Sequence, residues 1–245
     1  MATRRHSIAT KWKLISLGVL AVVALAIAGF AILRVPTSAP VSAQVASFTP
    51  SPQPTPTYLT MTGFLGDSYT AGDGGASKSE RWTTLVAQKR NWVETNAGFG
   101  GTGYGTAGRL TGGAPYADRV PALVNAEAKL VIVSGGRNDL TEKTSAAQVA
   151  AGITKTFTDL RKGLPNARII ALSPLWDSTA APSGLAAIGD EVKAAVEGVG
   201  GQYVDLGQPF AGRADLIGPD HVHPTVAGYA FLADQIDAAL PKDLP

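Results

Sequence analysis

Residues 63–72, GFLGDSYTAG, place a serine directly after an acidic residue at the end of a short apolar run. Glycines stand on both sides of this serine, at Gly66 and Gly72. Asp and Ser are both favoured at the residue that precedes a helix, so Ser68 could serve only to begin one. It could instead be a nucleophile on a tight turn between a strand and a helix. The choice depends on partners elsewhere in the chain.

The chain beyond residue 58 alternates short apolar runs with longer segments of helical spacing. The apolar runs predict strands at 59–65, 92–95, 129–134, 168–173 and 202–205. The other segments predict helices at about 80–90, 118–127, 146–162, 184–198 and 225–240. Alternating strands and helices indicate a parallel sheet covered on both faces, which is a three-layer α/β/α domain. We therefore expect one such domain over residues 59–245.

The segment before this domain predicts a membrane anchor. Residues 14–33, LISLGVLAVVALAIAGFAIL, carry no charge, and as a helix they would span about 30 Å, the thickness of a bilayer's hydrocarbon core. The basic segment 1–13 precedes this run, which predicts a cytoplasmic N-terminus and a C-terminal domain outside the cell. A signal peptide cleaved near Ala43 is the alternative, because VSA offers a small-x-small site there. Residues 34–58 are rich in Pro, Ser and Thr, and this composition is typical of an extended linker.

Composition excludes several classes of function. The chain contains no cysteine, which excludes disulfides, thiolate nucleophiles and cysteine-based zinc sites. Five of the 21 Lys and Arg residues lie within the first 34 residues, where there is no acidic residue. The remainder is therefore slightly acidic, although the whole chain has a net charge of +2. Because that remainder shows no basic stripe, nucleic acid is not expected as a partner.

The few histidines limit which residue could activate Ser68. The chain has three histidines, and His6 precedes the predicted membrane span, so only His221 and His223 remain. Both stand in the segment DHVHP, where Asp220 precedes His223 by three residues, a spacing at which a turn can bring the carboxylate onto the imidazole. Ser68, Asp220 and His223 thus supply the members of a catalytic triad. The alternative is that DHVHP is only a surface turn before the last helix.

Ester chemistry also needs hydrogen-bond donors for a developing oxyanion. In parallel sheets of this class, ligands bind beyond the carboxyl ends of the strands. The segments there include NAGFGGTG and GGRND, and they offer glycine N–H groups and the carboxamide of Asn138. Asn138 and Asp139 could instead cap a helix, and the glycines could form a flexible loop.

GDSYTAG, NAGFGGTG, GGRND and DHVHP, in this order, resemble the four sequence blocks of the SGNH (GDSL-type) hydrolases. The resemblance runs from about residue 60 to 230, nearly the whole globular part. It implies a flavodoxin-like fold with a five-stranded parallel sheet, and a serine esterase that needs no metal or organic cofactor. The first block reads GDSY here, where members of the family often have GDSL or GDSI.

The resemblance also implies a role for each matching residue. Ser68 resembles the nucleophile, whose backbone N–H also serves the oxyanion hole. Gly101 matches the glycine of the second block, with Gly100 as the alternative register, and Asn138 matches the side-chain donor of the third. The DxxH pair corresponds to Asp220 and His223.

Other functions remain to be weighed against this hypothesis. GFGGTG at 98–103 fits a dinucleotide-binding pattern, but the strand before it is weak and no helix opens at its glycines. DHVH could supply metal ligands, yet no third histidine is present on the outer side of the predicted span. The chain has no G-x-S-x-G elbow, which argues against the α/β-hydrolase family. A non-catalytic carbohydrate-binding module on a stalk would be expected to lose one of the catalytic residues.

We therefore expect a serine esterase that acts outside the cell, on O-acylated envelope polysaccharide or on lipid. The membrane would be a partner through the N-terminal helix. Transfer of the acyl group to a sugar instead of water is the nearest alternative. Four aromatic residues could line the acyl or sugar pocket, or could equally be buried packing: Phe99, Tyr104, Tyr116 and Trp176.

Overall fold

The computed structural model describes residues 59–245, the range in which the sequence predicts the α/β domain. The predicted basic segment, membrane span and linker lie outside the described residues and stay predictions. The sheet has five parallel strands in the order β2-β1-β3-β4-β5. The strands are β1 (Thr60–Gly66), β2 (Trp92–Gly98), β3 (Leu130–Ser134), β4 (Arg168–Leu172) and β5 (Gln202–Val204).

Helices connect the strands and follow the last one. They are α1 (Ser68–Ala71), α2 (Trp82–Arg90), α3 (Tyr116–Asn125), α4 (Arg137–Thr141), α5 (Ala146–Gly163), α6 (Ser183–Gly198) and α7 (Val226–Ala239), with a 3₁₀ turn at Ala214–Leu216. The five-stranded parallel sheet and the α/β class predicted from the sequence are confirmed. The short helices α1 and α4 were not predicted, because a segment of one turn shows no hydrophobic periodicity. Within residues 59–245, none of the helices is both long and apolar enough to cross a membrane.

The central strand shows why helices cover both faces. Alternate side chains of a strand point to opposite faces of the sheet, and all five residues of β3 are buried. Leu130 and Ile132 pack into one apolar cluster, together with side chains of α2 and α7. Val131 and Val133 pack into the other, together with side chains of α3, α5 and α6. The sheet is therefore the middle layer of three.

The strand register places the functional segments side by side. Gly66, the last residue of β1, pairs with Gly98 at the end of β2 and with Ser134 at the end of β3. The segments that follow these strands therefore start together at one edge of the sheet. That edge is where open parallel sheets bind ligands.

Candidate active site

Ser68 lies on a tight turn directly after β1. The carboxylate of Asp67 accepts a 3.0 Å hydrogen bond from the N–H of Tyr69 and so begins α1. A Cβ atom at Gly66 would lie only 2.5 Å from the carbonyl oxygen of Ser134, so the turn can fold this close to β3 only with glycine at that position. The serine is 7% exposed at the edge of the sheet. Asp67 is the capping residue and Ser68 is the first residue of the helix, while the role of Ser68 as a nucleophile stays a prediction.

Asp67 is a buried acid next to the candidate nucleophile. Burial raises the pKa of its carboxyl to about 6, although the bond from Tyr69 and the charges of Arg137 and Arg119 favour the ionised form. The pKa of Asp67 therefore lies well above that of an ordinary surface aspartate.

The turn that carries the histidines is built around the side chain of Asp220. One carboxylate oxygen accepts hydrogen bonds from the backbone N–H groups of Val222 and His223, at 3.0 Å each. The other lies 2.6 Å from Nδ1 of His223. His221 follows Asp220 in this turn, has a φ of 58° and is exposed to solvent. The bonds from His223 and the backbone lower the pKa of Asp220 to about 2, despite partial desolvation.

The serine turn and the histidine turn contact each other. The hydroxyl of Tyr69 donates a 2.6 Å hydrogen bond to the carbonyl of Val222, and the rings of Tyr69 and His223 lie 6.2 Å apart. The Ser68 hydroxyl itself makes no hydrogen bond to any residue between 59 and 245. Contacts between nucleophile and base are often loose in unliganded sites and tighten when substrate binds.

Candidate oxyanion donors lie beside the serine. The backbone N–H groups of Ser68 and Gly101 have no acceptor within residues 59–245. Gly101 adopts a φ of 72°, a left-handed conformation that favours glycine. Asn138 in α4 is half-buried, and its carboxamide donates a 2.9 Å hydrogen bond to the carbonyl of Thr102. The second N–H of that carboxamide remains available for a substrate oxygen.

Sequence reasoning missed a buried acid that fixes the loop after β2. Asp139 is 1% exposed, and its carboxylate accepts 2.8 Å hydrogen bonds from the N–H groups of Tyr104 and Gly105 and from the hydroxyl of Thr106. Burial raises the pKa of Asp139, while these hydrogen bonds act in the opposite direction. The sequence suggested only a helix cap for this residue, but Asp139 lies within α4, and the capping residue Gly136 supplies no side-chain hydrogen bond. The position of Asp139 directly after Asn138 was the one available signal.

Arg119 fixes the same loop from α3. Its guanidinium donates to the carbonyls of Gly66 (2.9 Å) and Ala97, at the ends of β1 and β2. It also donates to the hydroxyl of Thr102 (2.8 Å) and to the carbonyl of Ala114 (3.1 Å). No sequence pattern pointed to Arg119, because its acceptors come together only in the folded chain.

The four candidate pocket aromatics divide into two groups. Tyr104 and Tyr116 are 1% and 0% exposed and pack together in the core with ring centroids 4.7 Å apart. The substrate-lining interpretation is therefore wrong for these two, since the loop folds inward to reach Asp139. Phe99 is 40% exposed. Trp176 is 9% exposed and lies under the guanidinium of Arg137, 3.9 Å from its ring centroid. A substrate contact by Phe99 or Trp176 stays a prediction.

This fold, with Ser68 and the DHVHP turn at one edge of the sheet, agrees with a hydrolase of the SGNH class. Residues 64–231 match the model of the GDSL-like Lipase/Acylhydrolase family. The match covers more than half of the chain, and the chain belongs to that family. It is therefore an ester hydrolase by family, as the four sequence blocks predicted.

Individual relatives agree with this assignment. GDSL lipase Rv0518 of Mycobacterium tuberculosis (strain ATCC 25618 / H37Rv) is 31% identical over 189 residues, which cover 74% of this chain and 81% of the lipase. Among solved structures, the psychrotrophic esterase EstA from Pseudoalteromonas sp. superposes with a TM-score of 0.60 at 19% identity, covering 74% of this chain and 96% of EstA. A family two carbohydrate esterase from Clostridium thermocellum, in complex with cellohexaose, gives a TM-score of 0.57 at 20% identity, covering 73% of this chain and 62% of the esterase. At these identities the two structures show the shared fold.

Proposed function

We propose that the protein is a serine esterase in which Ser68, His223 and Asp220 form the catalytic triad. The observation that carries this proposal is the 2.6 Å contact between Asp220 and Nδ1 of His223, within a turn that is bonded to the serine turn. A carboxylate at Nδ1 fixes the tautomer in which Nε2 is free to accept a proton. Its acidic pKa of about 2 keeps Asp220 ionised in that role at neutral pH.

The reaction then proceeds through an acyl-enzyme. Oγ of Ser68 attacks the ester carbonyl carbon while its proton passes to Nε2 of His223. The oxyanion accepts hydrogen bonds from the N–H groups of Ser68 and Gly101 and from the carboxamide of Asn138. When the bond to the leaving oxygen breaks, His223 returns the proton to that oxygen and the alcohol departs. Water then gives a proton to Nε2 of His223 and attacks the acyl carbon, and the bond from that carbon to Oγ of Ser68 breaks. The carboxylic acid departs, and His223 returns the proton to Oγ.

The reactive serine is tested with a fluorophosphonate, which forms a bond only with an activated hydroxyl and needs no knowledge of the substrate. We expect stoichiometric labelling on the peptide that contains Ser68, detected by mass spectrometry, and none in Ser68→Ala. Ser79→Ala is the matched control, since Ser79 is an exposed serine in a loop and its loss should leave labelling unchanged. Labelling that persists in Ser68→Ala would contradict the proposed nucleophile.

For the substrate we propose O-acylated envelope polysaccharide or lipid outside the cell. Family membership supports ester hydrolysis, and the predicted span at 14–33 with its basic flank supports an outward-facing domain. A panel of p-nitrophenyl esters from C2 to C12, with acetylated glycans alongside, would define the acyl preference. Adding a sugar acceptor to the same assay separates hydrolysis from transfer, because transfer yields an acylated sugar in place of free acid.

The proposed location has its own test. The full chain should fractionate with membranes, and protease added to intact cells should digest the domain at residues 59–245. A domain that is protected until the cells are lysed would overturn the outward orientation. Release of a chain that starts after Ala43 would instead establish the signal-peptide alternative.

A further inference from the structure

Asp73 is an acidic residue beside the site that the mechanism above does not use. Its N–H donates a 2.9 Å hydrogen bond to the carbonyl of Ser68. Its own carbonyl accepts a 2.6 Å hydrogen bond from the hydroxyl of Tyr229 in α7. The backbone of Asp73 is therefore fixed to the turn that carries the nucleophile, and these bonds do not involve its carboxylate.

That carboxylate lies against Gly100 in the loop after β2. A Cβ atom at Gly100 would lie 2.3 Å from Oδ2 of Asp73 and 3.9 Å from Cβ of Ser68. The carboxylate of Asp73 and Cβ of Ser68 thus both lie next to Gly100.

The side chain of Asp73 is polar and unpaired. Its carboxylate oxygens make no hydrogen bond or ion pair with any residue between 59 and 245. Asp73 is exposed to solvent, and the desolvation of its carboxyl raises its pKa while the charge of His223 acts in the opposite direction. A carboxylate accepts hydrogen bonds and cannot donate them, so this accessible side chain can accept a hydrogen bond from a molecule bound beside Ser68.

The position of His223 decides which half of an ester would meet Asp73. His223 must deliver a proton to the leaving oxygen, so the alcohol half of the ester lies next to the imidazole. The residue after Asp73, Gly74, packs against His223, since a Cβ atom at Gly74 would lie 2.5 Å from Cβ of His223. Asp73 therefore lies on the side of the imidazole, where the alcohol departs. We infer that Asp73 binds a free hydroxyl on the alcohol half, and that the enzyme prefers esters of polyols or sugars. This inference rests on the serine-esterase function proposed above.

The test compares two acetyl esters that differ only in hydroxyl groups: 1-monoacetylglycerol and propyl acetate. The measured quantity is the ratio of their kcat/KM values in the full chain. We expect Asp73→Ala to lower this ratio at least about tenfold, because it removes a charged acceptor. Asp73→Asn should lower the ratio less, because an amide oxygen still accepts a hydrogen bond. Glu197→Gln, an exposed acid on α6, is the matched control and should leave the ratio unchanged.

Other outcomes would overturn the inference. If Asp73→Ala slows both esters equally, the carboxylate acts through His223 and not on the substrate. Asp73 would instead bind a cation if Asp73→Ala leaves the ratio of kcat/KM for 1-monoacetylglycerol and propyl acetate unchanged but abolishes a preference for acetylcholine over 3,3-dimethylbutyl acetate. Failure of the wild-type protein to cleave either ester, with Ser68→Ala indistinguishable from it, would overturn the proposed function itself.

Discussion

The hydroxyl of Tyr69 donates a 2.6 Å hydrogen bond to the carbonyl of Val222, which joins the residue after Ser68 to the residue before His223. These residues are far apart in sequence, on the turns that follow β1 and precede α7. Tyr69 is 3% exposed, and its ring packs edge-on against Phe210 at a centroid distance of 6.2 Å. In GDSL and GDSI sequences the corresponding side chain is aliphatic and could not make this bond. The departure from the usual first block therefore adds a direct link between the turns that carry the proposed nucleophile and the proposed base.

We predict that Tyr69→Phe lowers kcat about 10–100-fold with little change in KM, because a small displacement of His223 from Ser68 impairs proton transfer. Ester hydrolysis and thermal unfolding measured on the same preparation check this. Tyr203→Phe, the same change on a half-buried tyrosine of β5, should leave kcat unaltered. Equal kcat values for Tyr69→Phe and the wild type would show that the bond does not position the base.

The two neighbouring histidines should differ sharply in importance. His223→Ala should lose several orders of magnitude in kcat/KM, as Ser68→Ala should, and the double variant should be scarcely worse because the residues act as a unit. His221→Ala should retain most of the activity, since the imidazole that Asp220 contacts is that of His223 and not that of His221. Steady-state kinetics with p-nitrophenyl acetate check this prediction. An inactive His221→Ala beside an active His223→Ala would reverse the assignment of the base.

Asn138→Ala should lower kcat about 10²–10³-fold while KM barely moves, because an oxyanion donor acts mainly on the transition state. The variant also loses the hydrogen bond to Thr102, so its unfolding temperature should be measured alongside. If KM rises strongly while kcat is retained, Asn138 binds the ground state of the substrate instead.

Asp67 should make stability depend on pH in the acidic range. Its pKa is about 6 in the folded protein, against an ordinary value of 3.8, so the folded state binds the proton more tightly than the unfolded chain. Protonated Asp67 therefore adds up to roughly 3 kcal/mol to the free energy of unfolding. This stabilisation is fully present below about pH 4 and is lost as pH rises through about 6. Asp67→Asn keeps an acceptor for the Tyr69 N–H and does not titrate. Urea titrations at several pH values measure the free energy of unfolding of this variant minus that of the wild type. This difference should rise between pH 4 and 7, and a difference that stays constant would contradict the shifted pKa.

The long elements of the fold could be predicted because their own residues encode them. An apolar run such as 130–134 is buried on both faces of the sheet, and the helical spacing of residues 146–162 gives one apolar face. Ser68, Asn138 and the DHVHP turn could be located because they follow such runs or stand in a short local motif. These features depend on neighbours within a few residues.

The remaining features depend on contacts between distant segments. Arg119 and Asp139 are hydrogen-bonded mainly to backbone atoms of distant segments, and every residue type supplies the same backbone atoms, so the sequence does not indicate these contacts. Tyr104 stands in a glycine-rich segment that resembles a surface loop, yet Asp139 accepts its N–H and draws it into the core. Helix α1 exists because Asp67 caps it at the end of β1, not because its four residues favour a helix.

The hydrogen bonds of Arg119 and Asp139 also bear on how the enzyme loses activity on heating. Arg119 ties the loop after β2 to the ends of β1 and β2, and Asp139 ties the same loop to the start of α4. Loops fixed in this way belong to the cooperative unit of the core and cannot open independently of it. Catalytic inactivation and collapse of the tertiary structure should thus follow one thermal transition, without an earlier step in which a folded but inactive enzyme accumulates.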